Sequence, residues 1–270
     1  MGVASESDQV TEDLARLRVL FVNLYFVGNR DAWVLIDAGL QGCRAQIVET
    51  AEELFGRGTK PRAIVLTHGH FDHIGAFPEL FEDWDVPVYA HPLELPFLNG
   101  QSDYPPPDPT VGTGAMALMS FAFPNKGVDL GQRVQPLADD GRVPFMPDWR
   151  WVHAPGHTPG QVALWRERDR CLISADAFVT CKQESLYAVL TQKEEVNGPP
   201  SYFTPDWIAA KQTVERLAAL NPEIAASGHG TPMRGEELRS GLRELVAHFE
   251  DLAVPSQGRY VPEEMKHSSS

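Results

Sequence analysis

The stretch THGHFDHIG, residues 67–75, sets three histidines and an aspartate between His68 and His73. Such crowding suits either a polar surface loop rich in histidine or a set of side chains gathered around a positive ion. Upstream, RAIVLT (62–67) is a nearly continuous apolar run, the pattern of a buried strand, so the cluster sits at a strand's C-terminal end. Working outward, LRVLFVNLYFVG (17–28) and AWVLIDAG (32–39) read as a β-hairpin joined at NRD. RAQIVETAEELF (44–55) has helical spacing and stops at Gly56 and Gly58. Beyond the cluster, IGAFPELFEDW (74–84) reads as a short helix broken by Pro78, and VPVYAH (86–91) as another strand.

The second half repeats this alternation. WRWVHA (149–154), QVALWRE (161–167) and RCLISA (170–175) read as strands joined by tight turns. TPDWIAAKQTVERLAAL (204–220) reads as a helix with Thr204 as N-cap and Pro205 first. EIAASG (223–228) is a last short strand and GEELRSGLRELVAHFEDLA (235–253) a last amphipathic helix. Between the halves, residues 99–127 mix a proline cluster with an apolar patch and show no period. A loop of that length in a compact domain is usually functional, here a substrate wall. The expectation is one α/β domain over 1–270, with its core at about 17–253 and a tail at 254–270. The closing KHSSS reads as a disordered end or a cloning remnant.

Composition excludes several classes. The 270 residues suffice to bury a sizeable core, with 43% apolar and 22% charged residues. Acidic residues outnumber basic ones 37 to 23, for a formal charge of −14. That balance repels a phosphate backbone, so nucleic acid is not expected as a partner. Three scattered cysteines, Cys43, Cys171 and Cys181, suggest no disulfide framework and point to a reducing, cytoplasmic setting. There is no signal-peptide pattern and no apolar run approaching the ~20 residues that span a membrane.

Acidic and imidazole groups recur where strands run out into loops. APGHTPG places His157, SADAF places Asp176 and SGHGTP places His229, each just past a strand. With His68, His70, Asp72 and His73 this makes seven candidate ligands. Extended backbone puts His68, His70 and Asp72 on one side, and a turn at Asp72–His73 swings His73 toward them. Imidazole and carboxylate suit Zn²⁺, with Fe and Mn also fitting. Seven ligands exceed one tetrahedral ion and suit two ions about 3.5–4 Å apart sharing a carboxylate. His91 and His153 lie near the motifs but read more simply as structural.

THGHFDHIG, PGHTPG, SADAF and GHG in this order, with VNLYFV and LIDAG before them, resemble the metallo-β-lactamase superfamily over roughly Val19 to Ala253. The resemblance implies an αβ/βα sandwich of two mixed sheets flanked by helices. It implies one metal on His68, His70 and His157, a second on Asp72, His73 and His229, and Asp176 as the bridge. Thr67, Asp37 and Thr158 would orient ligands, although Asp37 reads equally well as a turn-capping carboxylate. Gly39, Gly69, Gly156 and Gly228 would let backbone pass close to the site.

Two divalent ions bridged by a hydroxide, with Asp72 orienting it, make the expected reaction metal-assisted hydrolysis. An aspartate at 176 resembles the lactonase, glyoxalase II and phosphodiesterase branches rather than true β-lactamases. His70 stands where flavodiiron oxidoreductases carry glutamate. Lactonases of the superfamily have a tyrosine where this chain has Val179, which leaves Tyr187, Tyr202 and Lys182 as proton-donor candidates. The short acidic C-terminus departs from glyoxalase II. Apolar stretches at 117–123 and 178–180 are taken as pocket walls favouring a neutral, apolar small molecule: a carboxylic ester, lactone or thioester. A phosphodiester or phosphotriester on the same ions is the alternative, and a β-lactam a weaker one. Exposed aromatics of the 99–127 loop offer a homodimer contact.

Overall fold

The computed structural model describes residues 5–265 apart from 113 and 184, so KHSSS lies outside the described residues. They form two compact units. One takes the chain up to Asp103 together with Lys126–Trp151, the other Tyr104–Asn125 and the chain from Val152 onward.

The first unit is built on seven strands lying side by side in chain order. They are β1 (Ser5–Thr11), β2 (Leu14–Val19), β3 (Val22–Gly28), β4 (Trp33–Ile36), β5 (Ala63–Val65), β6 (Val88–Ala90) and β7 (Val134–Pro136). Tight turns join β1 to β4, which therefore pair antiparallel. Helices α1 (Arg44–Phe55), α2 (Phe71–Ile74), α3 (Phe77–Asp83) and α4 (Leu95–Leu98) lie in the longer connections. These return the chain in the same direction, and β4, β5, β6 and β7 pair parallel. A hairpin of β8 (Arg142–Val143) and β9 (Met146–His153) follows.

Residues 17–28, read as one strand, are two. Leu20 adopts a left-handed φ of 56° and the chain folds back, pairing Val19 with Val22. Pro78 does not break α3 but opens it, at a position where a missing N–H costs nothing. The core centres on Trp33, stacked on Phe55 at 4.8 Å and edge-on to Trp84 at 5.6 Å. Its indole Nε1–H donates to Thr59 Oγ1 at 2.9 Å.

The second unit contains α5 (Ala115–Met119), β10 (Val162–Arg166), β11 (Cys171–Ala175), α6 (Leu186–Thr191), α7 (Trp207–Ala219), β12 (Ile224–Ser227), β13 (Met233–Arg234), α8 (Gly235–Ala247) and α9 (Phe249–Ala253). Its strands lie in the order β13-β12-β11-β10. The β11–β12 pair is parallel, with α7 in the connection, and its neighbours are antiparallel. Both sheets are thus mixed and carry helices, the α/β class the sequence pattern predicts.

Three expectations change here. Thr204 is not the N-cap of α7: Asp206 is, its carboxylate accepting from Ala209 N–H at 2.9 Å. The helix read over 235–253 is two, interrupted at His248. Residues 178–180 are interior rather than pocket wall: Phe178 belongs to the apolar core and Thr180 bonds to Ser227. That core is completed by Val254, Val261 and Met265 from the segment after α9.

Candidate metal centre

In the first unit, the parallel register of β4 and β5 pairs Ile36 with Val65. Asp37, one residue past Ile36, and Thr67, two past Val65, then meet at the strands' C-terminal ends, the usual address for ligand sites in parallel sheets. Asp37 N–H donates to Val65 O at 3.0 Å. Its carboxylate accepts three hydrogen bonds: from Thr67 N–H at 2.7 Å, Thr67 Oγ1 at 2.8 Å and His73 Nδ1 at 2.8 Å.

This network fixes two histidine tautomers. Thr67 has one hydroxyl proton and gives it to Asp37, so it must accept from His68 Nδ1 at 3.1 Å. A carboxylate only accepts, so His73 Nδ1 also carries its proton. In both rings the nitrogen left to bind a metal is Nε2, the arrangement an orienting hydrogen bond imposes on metal-ligating histidines.

Beyond His70 the chain is not extended as expected. It enters the single helical turn α2, which presents Asp72 and His73. Gly75 ends that turn against residues 39–41: its N–H donates to Gly39 O, and a Cβ there would sit 2.3 Å from Gln41 N. Only glycine permits this approach. The rings of His68 and His73 lie 4.1 Å apart and those of His68 and His70 4.8 Å apart, between centroids. A ligand atom of Asp72 lies within 4.8 Å of one on His73. All four residues are buried, as are Asp37 and Glu94, whose carboxylate accepts from Gly69 N–H at 3.1 Å. Three buried carboxylates among imidazoles need compensating positive charge.

In the second unit, Ala175 of β11 pairs with Ser227 of β12. Asp176 and His229 therefore leave their strands at the same end. His157 follows β9, where Ala154 N–H donates to Gln161 O, and Gly156 lets the chain pass α7, since a Cβ there would lie 2.5 Å from the Ala210 backbone. Asp176 Oδ2 lies 3.1 Å from His229 Nε2 and 3.4 Å from His157 Nε2.

Thr204 Oγ1 donates its proton to Pro200 O at 2.8 Å, so it accepts from His157 Nδ1 at 3.3 Å. In the neutral ring, His157 Nε2 then presents a lone pair toward a carboxylate oxygen. Two acceptors that close, both buried, require a cation between them, a proton or a metal ion. Donors bonded at about 2.1 Å to one tetrahedral ion stand about 3.4 Å apart, which matches this spacing. The donor set therefore fits a divalent metal.

Each unit thus gathers its share of the predicted ligands: His68, His70, Asp72 and His73 in the first; His157, Asp176 and His229 in the second. Thr158 is buried beside His157 in sequence. His91 caps the turn after β6, its Nδ1 accepting from Leu93 N–H at 3.2 Å, and packs on Trp151. His153 Nε2 donates to Pro159 O at 2.8 Å, so both read as structural. Tyr187 is exposed, whereas Tyr202 is buried against Phe123 and Phe203. The sequence reading missed Thr204 and Glu94, which no local motif marks.

The family profile of the metallo-beta-lactamase superfamily matches residues 17–229. The probable metallo-hydrolase YflN of Bacillus subtilis (strain 168) is 47% identical over 233 residues, covering 85% of this chain and 88% of its own. A second relative from that organism, the probable metallo-hydrolase YybB, is 27% identical over 85% of this chain and 89% of its own. Among solved structures, TTHA1623 in a di-iron-bound form is 29% identical with a TM-score of 0.54, covering 81% of this chain and 92% of that one. The BLEG-1 B3 metallo-beta-lactamase, 22% identical, covers 91% of this chain and 97% of its own with a TM-score of 0.57, a likeness of fold alone. Among the described residues no helix is long and apolar enough to cross a membrane.

Proposed function

The chain belongs to the metallo-beta-lactamase superfamily, and from that premise we propose that it is a dinuclear metal-dependent hydrolase of small carboxylic esters, lactones or thioesters. In this reading the two ligand sets serve a common pair of divalent ions. His68, His70 and His157 would hold one, Asp72, His73 and His229 the other, and Asp176 would be shared. Zinc fits the imidazole and carboxylate donors, as do iron and manganese.

When bound, such a pair would supply a Lewis acid for the substrate's acyl oxygen and water acidified to near neutrality, with no side-chain nucleophile required. The chain's own residues do the positioning. Asp72 orients the attacking water and takes up its proton. Asp37 and Thr67 hold His73 and His68 with Nε2 exposed to the ions, and Thr204 does the same for His157. The observation that carries the reading is His157 Nε2 aimed, with its tautomer set by Thr204, at the Asp176 carboxylate 3.4 Å away.

The preference for a neutral acyl substrate draws support from the formal charge of −14, which disfavours anionic ligands. It also draws support from the exposed apolar residues Leu118, Met119 and Phe121 in the segment around α5. The test is turnover by fully metallated protein on matched panels of esters, lactones, thioesters and bis-p-nitrophenyl phosphate. The expected outcome is acyl substrates turned over at least about tenfold faster in kcat/KM than the phosphodiester. The reverse order would move the assignment to phosphoester hydrolysis, and silence on every class would overturn it.

A further inference from the structure

Glu94 is fully buried, yet its side chain does not cap α4, the helix it precedes. An interior carboxylate is costly to desolvate and persists where it meets donors and positive charge. What it meets here is the ligand loop of the first unit. β6 runs parallel to β5, with Leu66 N–H donating to Tyr89 O at 2.8 Å. The chain leaving β6 therefore emerges at the same end as the chain that carries His68 and His70. It turns back at once, Glu94 N–H donating to His91 O at 2.9 Å. Glu94 Oε2 then accepts from Gly69 N–H at 3.1 Å.

The group it binds decides what it can do. Gly69 lies between His68 and His70, and its N–H belongs to the planar peptide unit that joins it to His68. Holding that unit sets the backbone rotation relating the two rings, which stand 4.8 Å apart between centroids. Glycine at 69 has no Cβ to limit that rotation by itself. We propose that Glu94 is a positioning residue for the metal centre: through the Gly69 peptide it holds His68 and His70 in the mutual orientation in which both bind one ion. This rests on the metal assignment above and adds a residue outside the ligand motifs. A carboxylate suits the task, because hydrogen bonds to an ionised acceptor are about twice as strong as neutral ones.

Two conservative substitutions separate position from charge. Glu94→Gln keeps a side-chain oxygen within reach of Gly69 N–H but removes the charge. Glu94→Asp keeps the charge but draws the carboxylate back by one methylene. Wild type and both variants, each with a native circular dichroism spectrum, are loaded with Co²⁺ and titrated against a chelator while visible absorption is recorded. Glu94→Asp is expected to lose about 10- to 100-fold in Co²⁺ affinity and to show displaced visible bands. Glu94→Gln should keep the wild-type band positions and lose less affinity than Glu94→Asp. Glu94→Ala, which also takes this acceptor from Gly69 N–H, is read in place of the Asp protein if that one does not fold. Wild-type affinity and bands in the variant lacking the acceptor would overturn the proposal. So would a Glu94→Gln protein that binds more weakly than Glu94→Asp, the order a bare charge effect gives, or one whose bands are displaced from wild type. Wild type that takes up no Co²⁺ removes the metal centre itself and this inference with it, a result distinct from any difference among the variants.

Discussion

Asp37 shows how much one residue does at this site. It holds a left-handed φ of 62°, a conformation aspartate and asparagine tolerate better than other side chains. From there its carboxylate takes hydrogen bonds from both Thr67 and His73. Of the two roles open at the sequence level, turn-capping carboxylate and ligand orienter, the second is the one for which the bond to His73 Nδ1 supplies the contact. Asp37→Asn keeps the backbone preference but turns an amide N–H₂ toward groups that are themselves donors. We predict a 10- to 100-fold loss of metal affinity, measured by chelator competition, with unchanged affinity as the contrary result. Asp37→Ala should lose in addition about 1 kcal/mol of folding stability from the strained φ. The seven ligand candidates were legible because their spacing repeats a pattern at strand ends. Thr204 and Glu94 were not, because Thr204 meets His157 from 47 positions away and Glu94 meets Gly69 from 25. No local rule connects such pairs.

At the scale of elements, parallel register does the aligning. β4 beside β5 brings Asp37 to Thr67, and β11 beside β12 brings Asp176 to His229. The strands themselves were legible as apolar runs, while the turn at Leu20 and the short β13 carried no turn chemistry to announce them. Residues 99–127 read as structureless yet are organised. Tyr104 and Asn125 close the neck of the excursion through two hydrogen bonds of 2.9 and 2.8 Å. Within it, Asp108 is the fastening point: Oδ1 accepts from Thr110 N–H and Oγ1, and Oδ2 from Arg259 N–H. Burial alone would raise the Asp108 pKa, but these hydrogen bonds outweigh it and hold the carboxyl below its ordinary 3.8. A depressed folded pKa stabilises the native state above the unfolded value and is lost as pH falls through the folded one. Stability contributed by this fastening should be full at neutral pH and decline below about pH 4. Asp108→Asn should lower neutral-pH stability by about 1–2 kcal/mol and flatten that part of the acid dependence, read by urea melts across pH. An acid profile identical to wild type would contradict the assignment.

Among the described residues of the whole molecule, apolar side chains gather in one core around Trp33 and in another around Trp207 and Phe178. Their division was not legible: both halves show the same alternation of strand and helix, with no linker between them. The superfamily was legible, because its signature lies in a few spaced histidines and aspartates rather than in composition. The central claim is the proposed pair of metal ions and the ligand set assigned to each. Elemental analysis of purified wild type, His68→Ala and His157→Ala addresses it directly, each protein loaded with zinc and checked for a native circular dichroism spectrum. The account predicts about two ions per wild-type chain and the loss of about one ion in each variant, because His68 and His157 serve the same ion. A His157→Ala protein that retains both ions, or wild type that holds none, would contradict it.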